Sequence, residues 1–203
     1  MLGRQHLLFP SVLHEISLPS FKEVEKDLIN FVYQERKQDP KGQICSNRGG
    51  WQSSAKYMNG ENILKETIIK YLSEYFTVDQ SNPLAEGINV ELTSIWININ
   101  NKNDYNAFHI HPGHDLAGVL WIKVPKMSGN IVFNSPHGYT YHNQMICYNN
   151  KLKKEWKMFS HYSYPSIAGK MFLFPASLYH MVETNQTKHD RISSSFNINL
   201  RYN

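Results

Sequence analysis

The sequence predicts an α+β domain in which N-terminal helices support one sheet of a barrel-like β-sandwich. Three observations lead there. Two apolar stripes with helical spacing lie in the first 80 or so residues, and no strand pattern of comparable strength precedes them. From about Ile88 onward the alternation shortens to two residues, the period of half-buried strands. The strand-like runs are short and are separated by turn signals, and a string of such runs after paired helices reads as helices packed on a closed or sandwiched sheet. At 203 residues the chain fits one domain with a substantial core. Helical support is expected over about residues 1–85 and the β core over about 86–203, with no internal repeat, low-complexity tract or second-domain boundary.

Taken in order, Pro19-Ser20 opens the first helix. Ser20 and Glu23 have the spacing of a capping box, which satisfies backbone donors at a helix start. Phe21, Val24, Leu28, Phe31 and Val32 then form one stripe. A second helix is expected from about Glu61 to Phe76, with Leu64, Ile68, Tyr71, Leu72 and Tyr75 on its buried side. Both stripes are those of helices packing on a sheet. Strands are expected at Ile88–Asn100, Tyr105–Ile110, Leu116–Val124, Asn130–Phe133, Lys170–Phe174, His180–Glu183 and Ile192–Leu200. Asn101 to Asp104 reads as a polar turn and Met127-Ser128-Gly129 as a hairpin turn. The stretch from Asn134 to Ser160 is less regular and is expected to elaborate a loop near the mouth of any site.

Charge and cysteine content narrow the function classes. The net charge of +4 is modest and spread out. Lys151, Lys153, Lys154 and Lys157 form the one basic cluster, interrupted by Glu155 and Trp156, and it reads as a solvated face. Nucleic-acid binding would call for a larger basic footprint. Cys45 and Cys147 are too few for a disulfide framework, no signal-peptide pattern opens the chain, and no apolar run has membrane-spanning length. A soluble, cytoplasmic protein with no nucleic-acid or membrane partner is expected.

The chemistry-bearing residues lie in two widely separated pieces. His109-Ile110-His111 sits at the start of a strand-like run, and His180 is followed eleven residues later by Arg191-Ile192-Ser193. In an extended chain residues i and i+2 share a face, so His109 and His111 can aim two imidazoles at one point, and His180 can complete a three-nitrogen site from a neighbouring strand. Arg191 and Ser193 form a second same-face pair, a cationic donor fork beside a hydroxyl. Guanidinium binds carboxylate bidentately and keeps its charge when buried. Metal ligands next to a carboxylate clamp suggest a metal that holds an organic acid. Simpler readings exist for each piece: one His of the pair at the surface beside Pro112-Gly113, His180 as a structural histidine, or Arg191 paired with Glu183 or Asp190 at a strand edge. His14, His137, His142, His161 and His189 lack a paired spacing and read as surface or structural.

These pieces, with Ser46-Asn47-Arg48-Gly49-Gly50-Trp51-Gln52-Ser53, Trp96-Ile97-Asn98-Ile99-Asn100, His109-Ile110-His111-Pro112-Gly113, Leu116-Ala117-Gly118-Val119-Leu120-Trp121, Phe174-Pro175 and Arg191 to Asn197, resemble the 2-oxoglutarate- and Fe(II)-dependent oxygenases. The nearest likeness is to a branch of marine bacteria and phages, more distantly to prolyl hydroxylases. The resemblance implies a double-stranded β-helix (jelly-roll, cupin-like) core, with Fe(II) on His109, His111 and His180 and with 2-oxoglutarate held by Arg191 and Ser193. O2 would be the second co-substrate and ascorbate a supporting reductant. Asn98 and Trp121 fall where such enzymes line the co-substrate pocket, though an indole at position 121 can equally pack. The activity implied is oxidative decarboxylation of 2-oxoglutarate coupled to hydroxylation of a small-molecule, peptide or protein substrate. A prolyl or other amino-acid side chain is suggested by analogy of strand order alone.

The chain departs from the common family pattern at His111, where a carboxylate is usual. Asp115, just past the Pro112-Gly113 turn, therefore stays open as an alternative third ligand. Gly49-Gly50-Trp51-Gln52 is expected either to approach the site mouth or to anchor the core through Trp51, and His137 stands where relatives often carry Arg. Two other classes remain open. A cupin-type metal barrel without 2-oxoglutarate would give Arg191 no reason to face the metal, and a non-catalytic binding barrel would leave the three histidines dispersed.

Overall fold

The structure is a computed structural model that describes residues 6, 9–77, 84–137 and 148–202. Residues 138–147 of the irregular 134–160 stretch, His142 and Cys147 among them, lie outside the described residues.

Among the described residues, two long helices and one short one accompany two antiparallel sheets. Strand β1 (His14–Ser17) leads into helix α1 (Phe21–Gln38), two short strands β2 (Asn47–Arg48) and β3 (Trp51–Gln52), and helix α2 (Ile63–Thr77). Then follow β4 (Ile88–Asn100), β5 (Tyr105–His109), β6 (Leu116–Lys123), β7 (Ile131–Asn134), the short helix α3 (Asn150–Glu155), β8 (His161–Tyr164), β9 (Lys170–Pro175), β10 (His180–Val182) and β11 (Arg191–Tyr202). The larger sheet has the order β1-β9-β6-β11-β4-β3 and the smaller one β2-β5-β10-β7-β8. Facing each other, they form the jelly roll of a double-stranded β-helix.

Strand alternation divides the apolar residues between two cores. On the larger sheet, Ile95, Ile97 and Ile99 of β4, Leu120 and Ile122 of β6 and Ile192, Phe196 and Ile198 of β11 turn outward and pack with Leu28, Val32, Leu64 and Ile68 of the helices. The opposite row of β6, Ala117, Val119 and Trp121, turns inward and meets Ile131 and Phe133 of β7 and Phe172 and Phe174 of β9 between the sheets. Gly118 belongs to the outward row, where the Phe196 ring fills the place of a side chain: a Cβ there would lie 2.3 Å from two of its ring carbons.

Helix α1 buries Phe21, Leu28 and Val32 as its stripe predicts. Its start differs from the expected capping box. Ser20 makes no side-chain bond to the helix backbone; its hydroxyl pairs instead with the Tyr71 hydroxyl of α2, 2.5 Å away. A tertiary partner has displaced the local one. Helix α2 is capped by Asn62, whose Oδ1 accepts from the Lys65 N–H at 2.9 Å.

Candidate metal centre

Two of the three histidines are placed by the smaller sheet. His180 opens β10, paired with His109 at the end of β5 and, on its other side, with Phe133 of β7. Between this pair and the next, Ala107 and Phe108 of β5 stand opposite Met181 of β10 alone, since Val182 pairs with Asn106. This β-bulge inserts one residue and re-aims the strand. Asn106 and His109 therefore both face the barrel interior although their positions differ by three, an odd step, and Phe108 is left outside, stacked on Tyr179 with centroids 5.0 Å apart. His111 lies beyond the strand, its N–H donating to the Ala176 carbonyl at 2.9 Å.

One nitrogen from each of His109, His111 and His180 lies within 4.8 Å of the others. The ring centroids are 5.1 Å apart for His109 and His111, 4.3 Å for His109 and His180, and 5.1 Å for His111 and His180. Every Nδ1 faces an oxygen: the Ala107 carbonyl at 2.7 Å from His109, the Leu178 carbonyl at 2.7 Å from His180, and Asn197 Oδ1 at 2.5 Å from His111. A carbonyl oxygen only accepts, so Nδ1 carries the proton and Nε2 keeps its lone pair. His111 Nε2 is buried with no hydrogen-bond partner. Burial lowers all three pKa values, pushing His111 to about 4 and His180 to about 3. Three neutral imidazoles with free Nε2 atoms are a donor set that suits Fe(II), so the residues present fit the ion.

Asp115 takes no part in this cluster. It is exposed, and its Oδ2 accepts from the Leu200 N–H at 2.8 Å. The other described histidines are also elsewhere. His14 Nδ1 pairs with Tyr75 Oη at 2.9 Å, His161 Nδ1 with Ser160 Oγ at 3.1 Å, and His114 Nδ1 lies 3.3 Å from Thr93 Oγ1.

The inward rows of β4 and β11 supply the polar wall. Arg191, Ser193 and Ser195 pair with Asn100, Asn98 and Trp96 respectively, and Ser193 also with Trp121 of β6. Asn98 and Ser193 line the cavity that holds the three histidines, together with Ser46, Trp96, Asn106 and Ser195. Asn98 accepts from Asn106 Nδ2 at 3.4 Å and donates to Ser195 Oγ at 3.3 Å. Trp121 is fully buried in the inter-sheet core rather than among the residues lining this cavity, and its Nε1 donor has no partner.

Arg191, which opens β11 two residues before Ser193, is fully buried. Its Nη1 donates to the carbonyls of Ser128 and, at 2.7 Å, Glu183. Nε and Nη2 are buried without a partner, and among the described residues no carboxylate lies within ion-pair distance. The carboxylates that could have claimed it are committed elsewhere: Glu183 Oε2 accepts from the Asn130 N–H and Asp190 Oδ2 from the Tyr33 hydroxyl. Burial pushes the guanidinium pKa down to about 10, against the opposing charges of Asp104 and Glu183, so it stays a cation at neutral pH. A buried cation with two idle donors is costly unless an anion reaches it. Gly129 leaves room for the guanidinium to seat on these carbonyls: its φ is +91° and a Cβ there would lie 2.5 Å from the Glu183 carbonyl oxygen and 2.9 Å from Arg191 Nη1.

A second, open groove shares His109 and His111 with the inner cavity and is lined by Gln52, Ser94, Ile110 and Asn197 among others. Gln52 Oε1 is buried there without a partner. Trp51 itself is a core anchor, buried and donating Nε1–H to the Asp39 carbonyl at 2.7 Å. Sequence reasoning missed Asn106, because the bulge breaks the two-residue count. It also left Asn197 without a role, although that residue continues the same-face row of Arg191, Ser193 and Ser195.

Comparison with known proteins agrees with this geometry. Residues 94–197, just over half of the chain, match the family model described as "Putative 2OG-Fe(II) oxygenase". No curated protein matches the chain. Among solved structures it is similar to the non-haem alpha-ketoglutarate-dependent carbocyclase SnoK of nogalamycin biosynthesis, with a TM-score of 0.64 at 11% identity over 95% of this chain and 82% of that one. It is also similar to the collagen prolyl hydroxylase of Paramecium bursaria Chlorella virus-1, solved as a 2-oxoglutarate complex (TM-score 0.56, 15% identity, 92% of this chain and 94% of that one). A prolyl-4-hydroxylase of Pseudomonas putida gives a TM-score of 0.56 at 11% identity, over 92% and 91% of the two chains. At such identities the likeness speaks for the fold, and the family match for the chemistry. No helix among the described residues is long and apolar enough to cross a membrane. The chain belongs to the 2-oxoglutarate- and Fe(II)-dependent oxygenases, enzymes that couple oxidative decarboxylation of 2-oxoglutarate to oxidation of a small-molecule or peptide substrate.

Proposed function

We propose that His109, His111 and His180 are the Fe(II) ligands of this oxygenase, and that Arg191 and Ser193 bind the far carboxylate of 2-oxoglutarate. The observation that carries the reading is the pairing of two unmet needs in one barrel. Three imidazoles present lone pairs to a common point, and a buried guanidinium farther along holds two donors with no acceptor. A diacid chelated at one end and charged at the other answers both. Asn98 and Trp121 complete the co-substrate pocket: the amide lines the cavity, and the free indole N–H is a donor for a carboxylate or keto oxygen.

Iron, when bound, supplies the activation of dioxygen and the oxidising power. The protein supplies geometry and exclusion of water. His109 and His180 are locked by backbone carbonyls, so their rings present Nε2 without rotating. Arg191 orients the keto acid by its charged tail, and Phe174 and Val182 wall the cavity, with Phe133 packed behind the His180 ring. The open groove beside His109 and His111 is where the primary substrate enters, and a prolyl or other amino-acid side chain is the substrate class we propose. The chain is read as one oxygenase domain, residues 1–203, because α1 and α2 share a single apolar core with the larger sheet. Its low cysteine content suits the cytoplasm.

The test is conversion of 2-oxoglutarate to succinate by protein loaded with Fe(II) and ascorbate, without primary substrate. Slow turnover is expected and should vanish in His180→Ala. Turnover that survives the substitution would place the iron elsewhere.

A further inference from the structure

The three imidazoles are not held alike. His109 and His180 each donate Nδ1–H to the carbonyl of the residue two before them, a contact no side-chain substitution can remove. His111, which lies beyond the end of β5, depends on a side chain 86 residues away: its Nδ1 meets Asn197 Oδ1 at 2.5 Å. Asn197 is held in turn. Its Nδ2 lies 2.9 Å from Ser94 Oγ, across the β4–β11 pair in which the two residues are direct partners. The amide is buried, with the residue 8% exposed.

We propose that Asn197 is a positioning residue for the metal centre: through Oδ1 it fixes His111 in the Nδ1–H tautomer, so that Nε2 presents its lone pair to the ion. The inference rests on the ligand assignment above. The opposite amide orientation would turn Nδ2 toward the ring, leave Nδ1 as an acceptor and force the proton onto Nε2. That atom has no hydrogen-bond partner in its buried position, so a proton there would be a buried donor without an acceptor, the arrangement folded proteins avoid. The Ser94–Asn197–His111 chain therefore runs in one sense, with Ser94 accepting from the amide and the amide oxygen accepting from the ring. Outer partners of this kind set ligand tautomer and basicity, and their loss typically weakens metal binding about ten- to a hundredfold.

The experiment uses the full chain. In metal-free, 15N-labelled protein, long-range 1H–15N imidazole correlations report the tautomer of each histidine directly. Wild type should show Nδ1–H at all three. Asn197→Leu, which keeps the volume and removes the acceptor, should shift His111 toward the Nε2–H form and leave His109 and His180 unchanged. Mn(II) affinity by calorimetry should fall roughly ten- to a hundredfold. Asn197→Asp keeps an acceptor at the same place and should bind Mn(II) at least as tightly as wild type. An unchanged His111 tautomer with unchanged Mn(II) affinity in Asn197→Leu would overturn the proposal, as would Asn197→Asp binding as weakly as Asn197→Leu. Should Asn197→Leu fail to fold, Ser94→Ala decides, since it frees the amide without removing it: weaker Mn(II) binding supports the proposal and unchanged binding rejects it. His180→Ala separates the two levels. If that variant binds Mn(II) like wild type, the ligand assignment has failed and this inference with it; if it does not bind while the Asn197 variants are neutral, only the role of Asn197 is lost.

Discussion

Arg191 carries the sharpest consequence of any single residue. Removing its charge in Arg191→Leu should weaken 2-oxoglutarate binding about ten- to a hundredfold, as expected when a hydrogen bond to a charged group worth roughly 1.5–3 kcal/mol is lost. Calorimetric titration of 2-oxoglutarate with Mn(II) in place of Fe(II) measures this, and Mn(II) affinity itself should persist. Equal co-substrate affinities would remove the carboxylate clamp from the reading. The histidines make a second prediction. Burial depresses His111 to about 4 and His180 to about 3 from an ordinary 6.5. Above about pH 6.5 both folded and unfolded forms are neutral at these sites. As pH falls below that, the unfolded chain takes up protons that the folded site refuses. Chelator-treated protein should therefore lose stability between about pH 6.5 and pH 3–4, by up to about 1.4 kcal/mol per pH unit for each group. Urea melts across that range would show it, and a flat profile would mean that the imidazoles are more solvated than their burial indicates. The three histidines that cluster and the buried Arg191 were legible because residue type and spacing carry chemistry on their own. Asn106 and Asn197 were not: an amide is unremarkable in a chain this rich in Asn until the fold sets it against a histidine.

At the scale of elements, departures from ideal geometry do the placing. The bulge between Asn106 and His109 puts both inside the barrel, whereas the expected strand Tyr105–Ile110 assumed unbroken alternation. His109 and His111 do lie together, but not as same-face neighbours of one strand. His111 stands past the strand end and is brought in by Ala176 and Asn197. The helix start shows the same limit, since the Ser20–Glu23 spacing is local information and Tyr71 is not. Gly118 supplies a test at this scale. A side chain there would enter the Phe196 ring, so Gly118→Val should destabilise the protein by about 1–3 kcal/mol, the usual cost of overpacking. Because its row faces the helices, 2-oxoglutarate affinity well below the melting temperature should hardly change. A variant as stable as wild type would show that β6 and β11 can part to admit the side chain.

Over the whole molecule, the sequence announced an α+β jelly roll through the switch from helical to two-residue periodicity, and most strand bounds fall within two residues of expectation. The order in which those strands pair, and the very short β2 and β3 that edge the two sheets, depend on contacts between distant segments that periodicity does not encode. Because the site draws on both sheets, ligands should stabilise the fold as a unit. At a hundredfold excess over its dissociation constant, Mn(II) should add about 2.7 kcal/mol, and 2-oxoglutarate should add a further increment only when the metal is present. Thermal shifts with each ligand alone and with both together measure this, and a shift from 2-oxoglutarate without metal would argue for a site elsewhere.

The two halves of the site are anchored very differently. Arg191, Ser193 and Asn197 lie on β11, which runs twelve residues and is bonded on one side to β4 and on the other to β6. His180 sits on β10, three residues long, in the smaller sheet. Backbone amides of β11 should be among the last to exchange with deuterated solvent, while those around His180 open sooner through local fluctuations that leave the larger sheet closed. Warming or mild denaturant should then release the metal before the fold is lost. An inactivated sample would still hold an intact β11 with its arginine in place, and it should recover on cooling when iron is restored.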